Sequence, residues 1–308
     1  MKEKYRFSVW TATYNRGHLM HNVYKCLCNQ TFKDFEWIII DDGSDDDTEL
    51  ICTHFRAEAP FPVTYIKKEN GGKHTAWRLA INLFQGKYAV TLDSDDTLFP
   101  NALEIFDRHW KELENQVFYD DFWEVKGQVI NQHGILLGGG FLKGNNIYDS
   151  DYNLLTYKEH FKSEMHACRK SSVLREFGIP PFIYEDRCNN FSEGILWSRI
   201  ARKYKSRFIN DVVRVYNQGT EGTLCKSSGN VKHFYNNIVR CVYLNKEQCD
   251  LMWKYEKRQY FLNLLILTYN SFRLGLSPFN KLYELRNVDK IIILLMIVPA
   301  AILKTIRK

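Results

Sequence analysis

The sequence lacks the long apolar run that a membrane-spanning helix or a secretory signal requires. Its N-terminus, MKEKYRFSVW, is charged and holds no signal-like apolar segment, so we expect a protein that stays in the cytosol. The uncharged stretch from Ile291 to Leu303 holds thirteen residues, fewer than the roughly 20 needed to cross a bilayer. Lys290 and Lys304 flank it, so we expect a helix that either lies in a membrane interface or packs on the protein body or a dimer partner.

The sequence also lacks several motifs that would announce other chemistries. Its eight cysteines have neither zinc-site nor disulfide spacing: Cys26 and Cys28 form only a Cys-x-Cys pair, and the rest are scattered. We interpret them as thiols that mostly pack as small hydrophobic side chains. No Gly-x-Gly-x-x-Gly follows the first predicted strand, which argues against a dehydrogenase. The loop found there, TATYNRG, is not the glycine- and arginine-rich loop that is usual in nucleotidyltransferases.

What is present is the composition of a globular protein with a sizeable core. The chain has 308 residues, of which 45% are hydrophobic and 25% are charged. Its formal net charge of +6 is modest and is compatible with an anionic substrate, with a membrane surface or with no specific partner. We expect no nucleic-acid partner.

The first third of the chain alternates between strand and helix patterns. The predicted strands are 5–12, 35–42, 62–68 and 87–93, and the predicted helices between them are 18–30, 46–59 and 74–84. This alternation indicates right-handed βαβ units and a doubly wound parallel sheet of the α/β class. In such sheets ligands bind beyond the carboxyl ends of the strands. Those ends read TATYNRG, DDGSDDD, KKENGGKH and DSDD, so we expect a polar site along one edge of the sheet.

The regular alternation fades after a further helix at 101–115. Residues 121–140 have the pattern of antiparallel strands and loops, and the chain from 259 onward becomes helical and apolar. Residues 216–224 have the glycine and threonine content of a loop that closes over a ligand or of a plain surface loop.

Three aspartates lie at the end of the strand predicted at 87–93 and just beyond it: Asp93, Asp95 and Asp96. Because side chains alternate along a strand, Asp93 and Asp95 point to the same side, and two such carboxylates suit a hard divalent cation such as Mg²⁺ or Mn²⁺. Asp-x-Asp alone also occurs in solvated turns, and Asp96 has the character of a residue that caps the next helix.

Four blocks, in their order and spacing, resemble family 2 glycosyltransferases with the GT-A fold. They are FSVWTATYNR, IIIDDGSDDDT, ENGGKHTAWRLAI and GKYAVTLDSDDTLFP, within residues 7–100. The segment FSEGILWSRIARKY resembles the family more loosely, and the last hundred residues share only its general character. The resemblance implies a doubly wound, mostly parallel, Rossmann-like sheet with a smaller acceptor-side half, followed here by a helical C-terminal extension.

The resemblance implies that the first half binds a nucleotide sugar, usually a uridine diphosphate (UDP) sugar. Asp42 matches the carboxylate that accepts a hydrogen bond from the base, and Lys73 matches a contact of the phosphate or ribose. Ala12 stands where the family commonly has proline. The implied donor contacts are Thr11, Ala12, Thr13, Tyr14, Asn15, Arg16, Asp42, Asn70, Gly71, Lys73, Asp93 and Ser94, and the implied ligands of Mn²⁺ or Mg²⁺ are Asp95 and Asp93.

Sugar transfer also needs a base that takes the proton of the acceptor hydroxyl. In the family a carboxylate lies four residues before a tryptophan, and Glu193 has this position relative to Trp197. Helical spacing lets this pair line one face of a helix. Glu185 and Asp186 are the alternative base, and a glutamate at a helix start also serves as a dipole partner. His166, near the implied acceptor region, is interpreted as a structural histidine.

The combined prediction is a metal-dependent, inverting hexosyltransferase of polysaccharide biosynthesis. Residues 1–113 would form the nucleotide-sugar half, 114–230 the acceptor and base half, and 231–308 the helical extension. The acceptor would be a glycan or a lipid-linked glycan, reached through peripheral contact of the C-terminal segment with the cytoplasmic face of the membrane. Two alternatives stay open, a non-catalytic nucleotide- or glycan-binding protein of the same fold and a sugar nucleotidyltransferase.

Overall fold

The computed structural model describes residues 3–138, 146–161, 163–188, 191–217 and 231–306. The strands are β1 (Tyr5–Thr13), β2 (Phe35–Asp41), β3 (Val63–Lys67), β4 (Gly86–Thr91), β5 (Thr97–Leu98), β6 (Phe122–Asn131), β7 (Ile147–Ser150), β8 (Met165–Lys170) and β9 (Lys205–Tyr216). The helices are α1 (Gly17–Cys28), α2 (Thr48–Glu58), α3 (Lys73–Leu83), α4 (Ala102–Glu114), α5 (Tyr152–Tyr157), α6 (Ser171–Phe177), α7 (Glu193–Ile200), α8 (Val231–Tyr255), α9 (Lys257–Arg273) and α10 (Asn287–Ile306).

The strands form one mixed sheet in the order β3-β2-β1-β4-β8-β6-β9-β5, with β7 paired to β9. The strands β3, β2, β1 and β4 are parallel to one another. Strand β8 runs antiparallel to both β4 and β6, and β9 is parallel to β6. The parallel half therefore carries the predicted βαβ units, and its four carboxyl ends lie at the same edge.

Burial of the parallel half follows from its sequence. Every residue of β2, FEWIIID, is buried, as expected for a strand that is covered on both faces. Aromatic pairs tie helices into the same core: the rings of Tyr88 and Trp110 stack at 4.1 Å, and those of Tyr24 and Phe55 at 4.4 Å. This packing gives the loops at the sheet edge a rigid support.

Strand register brings those loops side by side. Thr13 pairs with Asp41, and Asp41 pairs in turn with Lys67 on the next strand. On the other side of β1, Trp10 pairs with Thr91. The loops after β1, β2, β3 and β4 therefore leave the sheet next to one another.

The chain divides into two compact units. The first holds the whole sheet together with α1 to α4 and α6. The second holds most of α5 together with α7, α8, α9 and α10, and its apolar core includes Ile238, Leu264 and Ile293. Within the described ranges, no helix combines the length and the apolar character that a membrane crossing needs.

The predicted alternation of strands and helices in the first third is confirmed, and so are the helix at 101–115 and the helical C-terminal part. The seven cysteines that the structure describes are free thiols, as predicted. Division into residues 1–113, 114–230 and 231–308 by ligand-binding role stays a prediction. Most of the loop predicted at 216–224 lies outside the described residues.

Candidate active site

The carboxylate of Asp42 organises the loop between β3 and α3. This buried side chain accepts hydrogen bonds from the backbone N–H groups of Gly71, at 3.1 Å, and Gly72, at 2.7 Å, and it pairs with the Lys68 ammonium. The Asn70 side chain donates to the Asp42 carbonyl at 2.9 Å. Gly72 has a φ of 87°, a conformation that favours glycine. Asp42 thus fixes the glycine turn directly at the N-terminus of α3.

The loop after β1 is tied to the loop after β2. The backbone N–H of Asn15 donates to the Ser44 hydroxyl at 2.9 Å, and the Asn15 side chain accepts from the Asp45 N–H at 2.9 Å. Asn15 adopts a φ of 52°, which asparagine tolerates better than most residues. Tyr14 beside it is 49% exposed, so its ring is open to a flat ligand such as a base.

The remaining β1 residues of the predicted donor site differ in exposure. The buried hydroxyl of Thr11 accepts a hydrogen bond from the Trp37 indole at 3.1 Å and so holds β1 to β2. Ala12 is partly buried. The hydroxyl of Thr13 is buried, and it finds no hydrogen-bond partner among the described residues.

The DSDD segment after β4 is held by cations from two other loops. Lys73, the first residue of α3, donates to Asp93 at 2.9 Å. Arg16, from the loop after β1, donates to both Ser94 and Asp95 at 3.1 Å. The structure therefore brings the loops after β1, β3 and β4 together through ion pairs.

The carboxylates of Asp93 and Asp95 are oxygen ligands of the kind that Mn²⁺ and Mg²⁺ prefer. Burial raises the pKa of Asp93, but the charges of Lys73 and Arg214 outweigh burial and hold that pKa well below its ordinary value. Asp93 is therefore an anion at neutral pH. No group of three or more acidic, histidine or cysteine side chains forms a metal centre within the described ranges. A cation held by Asp93 and Asp95 would complete its shell with water and phosphate oxygens, as Mg²⁺ commonly does.

Behind the edge lies a charged cluster that the sequence analysis missed. Arg214, near the end of β9, is buried and pairs with the fully buried carboxylate of Asp96, and it lies 3.6 Å from Asp93. Asn217 donates its side-chain amide to the Asp95 carbonyl at 2.7 Å and its backbone N–H to Asp96 at 3.0 Å. Residues at the end of β9 therefore hold the DSDD segment in position. The available signal was Arg214 itself, a charge inside the apolar strand pattern VVRVY.

The structure also decides two roles left open above. Asp96 is not a helix cap, because Asn101 holds the N-cap position of α4 and Asp96 pairs with Arg214 instead. Burial, opposed by Arg214, raises the pKa of Asp96 to about 6. The His166 ring is buried, with its Nδ1 atom 3.4 Å from Arg214, and burial lowers its pKa well below the ordinary value. His166 is thus a neutral residue of the buried cluster, in keeping with the structural role predicted for it.

The predicted base residues lie in the second unit. Glu193 is the first residue of α7 and is partly buried, and Trp197 follows one turn later in the same helix and is buried. The alternative residues, Glu185 and Asp186, begin a single 3₁₀ turn, where Asp186 keeps 80% of its side-chain surface exposed. The helix predicted from the Glu-to-Trp spacing is confirmed, whereas the assignment of the base stays a prediction.

Taken together, the edge of the sheet can hold an anionic ligand next to carboxylates. Basic and acidic side chains alternate there, and they are Arg16, Lys68, Lys73 and Arg214 with Asp42, Asp93, Asp95 and Asp96. The N-terminus of α3, preceded by two glycines, adds backbone N–H groups that favour phosphate. An edge of this kind offers cations and backbone N–H groups to an anionic group, and carboxylates to a cation.

Comparison with known proteins identifies a matching family and related proteins. Residues 8–178 match the family model described as Glycosyl transferase family 2. "Minor teichoic acid biosynthesis protein GgaB" of Bacillus subtilis (strain 168) is 24% identical over 279 residues, which cover 87% of this chain and 29% of that protein. "GalNAc(5)-diNAcBac-PP-undecaprenol beta-1,3-glucosyltransferase" of Campylobacter jejuni is 26% identical over 216 residues, which cover 68% of this chain and 64% of that protein. The chain thus spans less than two thirds of the length of either relative.

Solved structures share the fold. S. aureus TarS 1-349 in complex with UDP-GlcNAc aligns with a TM-score of 0.60 at 15% identity, over 96% of this chain and 79% of that one. The mannosyltransferase PcManGT from Pyrobaculum calidifontis, in complex with GDP-Man and Mn²⁺, aligns with a TM-score of 0.53 at 17% identity, over 99% and 88%. These likenesses confirm the predicted GT-A fold. Since the family model also covers more than half of the chain, this protein belongs to glycosyl transferase family 2.

Proposed function

We propose that this protein transfers a sugar from a nucleoside diphosphate donor, a UDP sugar, to a hydroxyl group of a glycan or lipid-linked acceptor. The observation that carries the proposal is the convergence of three loops at one edge of the parallel sheet, joined by the Arg16–Asp95 and Lys73–Asp93 pairs. Aspartates that each have a cationic partner suit a ligand that brings both a negative diphosphate and a positive ion.

The residues around Asp42 would bind the nucleoside. The Asp42 carboxylate accepts hydrogen bonds from backbone N–H groups of the glycine turn and pairs with Lys68. It would accept an N–H of the base in place of one of these partners. Tyr14, half exposed at the end of β1, would stack on the base. Asn15 and Asn70 fix the two loops on either side.

Lys73 and Arg16 would bind the diphosphate. Both side chains are partly buried and now pair with Asp93 and Asp95, so each can turn from a carboxylate to a phosphate oxygen without leaving the edge. Asp93 and Asp95 would then hold Mn²⁺ or Mg²⁺. The cation supplies neutralisation of the charge that develops on the departing diphosphate.

A carboxylate would take the proton of the acceptor hydroxyl. We assign this role to Glu193 at the start of α7, with Glu185 or Asp186 as the alternative. Direct displacement with a single base predicts inversion at the anomeric carbon and no covalent intermediate.

The acceptor side is proposed from the relatives. The C. jejuni relative is named for an undecaprenol-linked substrate and the B. subtilis relative for teichoic acid biosynthesis. We therefore place this protein at the cytoplasmic face of a membrane, where it would extend a lipid-linked or surface glycan.

The test is a panel of nucleotide sugars measured for thermal stabilisation, with and without Mn²⁺, followed by a transfer assay. A donor and Mn²⁺ that stabilise the protein more together than separately are the expected result, because a ligand raises the melting temperature by mass action. Release of UDP accompanies the expected reaction, whereas release of pyrophosphate would identify a nucleotidyltransferase. Donor binding without transfer to any acceptor would identify a non-catalytic binding protein.

A matched pair of variants isolates the edge of the sheet. Asp95→Asn removes a carboxylate from the proposed cation site, and we expect it to abolish transfer while the protein stays folded. Asp34→Asn makes the same change at an exposed residue just before β2, at the opposite end of that strand from Asp42, and is expected to leave transfer unchanged. Equal activity of both variants across several metals would refute the proposal.

A further inference from the structure

Helix α10 presents a continuous apolar face to the surroundings. Six large side chains on this helix are 45–71% exposed, and they are Val288, Ile291, Leu294, Leu295, Val298 and Ile302, named here the docking face. At 3.6 residues per turn they lie within an arc of about 120°. This is the width of the stripe that a surface helix normally buries in a core.

The opposite side of α10 is firmly packed, so the docking face is not the product of a loose helix. Ile293 and Ala300 are fully buried, and Ile293 belongs to the core shared with α8 and α9. Near its C-terminal end, Lys304 donates to the Phe272 carbonyl at 2.7 Å. Near its start, Arg286 donates to the buried Asp289 at 2.8 Å and to the Tyr260 hydroxyl of α9 at 2.9 Å. Contacts near both ends therefore hold α10 against α9.

The C-terminal sequence that contains α10 is strongly basic. Residues 257–308 contain nine lysines and arginines but only two acidic residues, which gives +7, more than the +6 of the whole chain. Both acidic residues already have partners, since Asp289 pairs with Arg286 and Glu284 pairs with Lys246 at 2.5 Å. An apolar helix face on a segment of this positive charge is complementary to an anionic lipid surface.

The dimensions of α10 favour a helix that lies along a membrane. Twenty residues span about 30 Å, but Asp289, Lys290 and Lys304 interrupt the apolar sequence, and Pro299 lies inside the helix. A symmetric contact with a second copy would bring two segments of +7 together, and this like-charge repulsion opposes a dimer over the same face.

We propose that α10 binds an anionic membrane surface, with the docking face in the lipid interface and lysines and arginines of residues 257–308 on the headgroups. The purpose of this membrane binding, access to a lipid-linked acceptor, rests on the proposed function. Membrane binding itself needs neither the donor nor the cation.

The experiment measures cosedimentation of the full chain with vesicles, in the absence of any nucleotide sugar. Vesicles of phosphatidylcholine alone are compared with vesicles of equal parts phosphatidylcholine and phosphatidylglycerol. We expect binding to the anionic vesicles that falls several-fold as salt is raised, because salt screens the headgroup charge. The double variant Leu295→Glu with Val298→Glu should bind at least about tenfold more weakly, since two apolar side chains no longer enter the interface.

The matched control is Leu50→Glu with Val117→Glu, which changes two apolar residues of the first unit that are at least as exposed as Leu295 and Val298. This control should bind vesicles like the parent protein, and all three proteins should have the same circular dichroism and melting temperature. Undiminished binding by the α10 variant would overturn the inference, as would a parent dimer in light scattering that this variant converts to a monomer. Transfer to a soluble acceptor without vesicle binding would overturn only this inference, whereas vesicle binding without any transfer would overturn only the proposed enzymatic function.

Discussion

Replacement of Arg214 by methionine tests whether the buried cluster holds the DSDD segment. The Asp96 side chain is fully buried and the Arg214 side chain is 10% exposed, so solvent cannot replace the lost partner. Breaking a buried pair by removing one member typically costs about 3–5 kcal/mol. We expect a loss near 3 kcal/mol, the lower end, because the backbone N–H of Asn217 still donates to Asp96.

The loss should depend on pH. Asp96 already has a pKa raised to about 6 by burial, and removal of Arg214 raises it further. In Arg214→Met the abandoned carboxyl can take up a proton in mildly acidic solution, so the loss at pH 6 should be smaller than at pH 8. Urea unfolding in EDTA, followed by tryptophan fluorescence at both pH values, measures the difference.

Two further variants make the result specific. Asp96→Asn combined with Arg214→Met removes both charges, and we expect it to recover part of the lost stability. Arg108→Met breaks an exposed pair with Asp211, whose side chains are 56% and 34% exposed, and should cost less than about 1 kcal/mol. A loss for Arg214→Met no larger than that for Arg108→Met at pH 8 would refute the reasoning.

Three other predictions follow from single residues. Asp42→Asn should weaken donor binding by about 10-fold or more in calorimetry, since a charge-assisted hydrogen bond contributes about 1.5–3 kcal/mol; unchanged affinity would remove Asp42 from the donor site. Burial lowers the pKa of Lys170 to about 8, so between pH 8 and 10.5 Lys170 is protonated in the unfolded chain but not in the folded one. As the pH rises through that range, the unfolding free energy of the parent should increase by up to about 3 kcal/mol relative to that of Lys170→Met. Burial raises the pKa of Glu114, but hydrogen bonds from Arg6, Lys87 and Tyr88 outweigh burial and lower this pKa to about 2. The stability contributed by the ionised Glu114 is complete above pH 4.5 and is lost as the pH falls towards 2. The difference in unfolding free energy between the parent and Glu114→Gln should therefore be smallest at the lowest pH. Parallel pH curves for parent and variant would contradict either of the last two predictions.

The sequence was sufficient for the parallel half of the fold because local signals agreed there. Alternating strand and helix patterns, with polar ends on each strand, predicted β1 to β4 and the edge at which Asp42 and Asp93 lie. Parallel pairing of these strands then follows from the handedness of βαβ connections. The mixed half, in which β8 is inserted between β4 and β6, depends on contacts between distant residues that no local pattern records.

The candidate site was predictable in its residues but not in its partners. Spacing pointed to Asp93 and Asp95, yet the cations that pair with them come from Arg16 and Lys73, far apart in sequence. Arg214 is more distant still, since it lies 118 positions from Asp96 and reaches it only through the pairing of β9 in the sheet. A buried charge within an apolar strand is the one local sign that such a partner exists.

The ion pairs at the sheet edge bear on how the site fills. Arg16 and Lys73 neutralise the charges of Asp95 and Asp93, so each of these carboxylates has a cationic partner before any ligand binds. A lone divalent ion would compete with the Arg16 guanidinium and the Lys73 ammonium for these two carboxylates, whereas a diphosphate that enters with the ion offers both cations phosphate oxygens in exchange. We therefore expect Mn²⁺ alone to bind weakly, and Mn²⁺ and the nucleotide to bind with positive cooperativity.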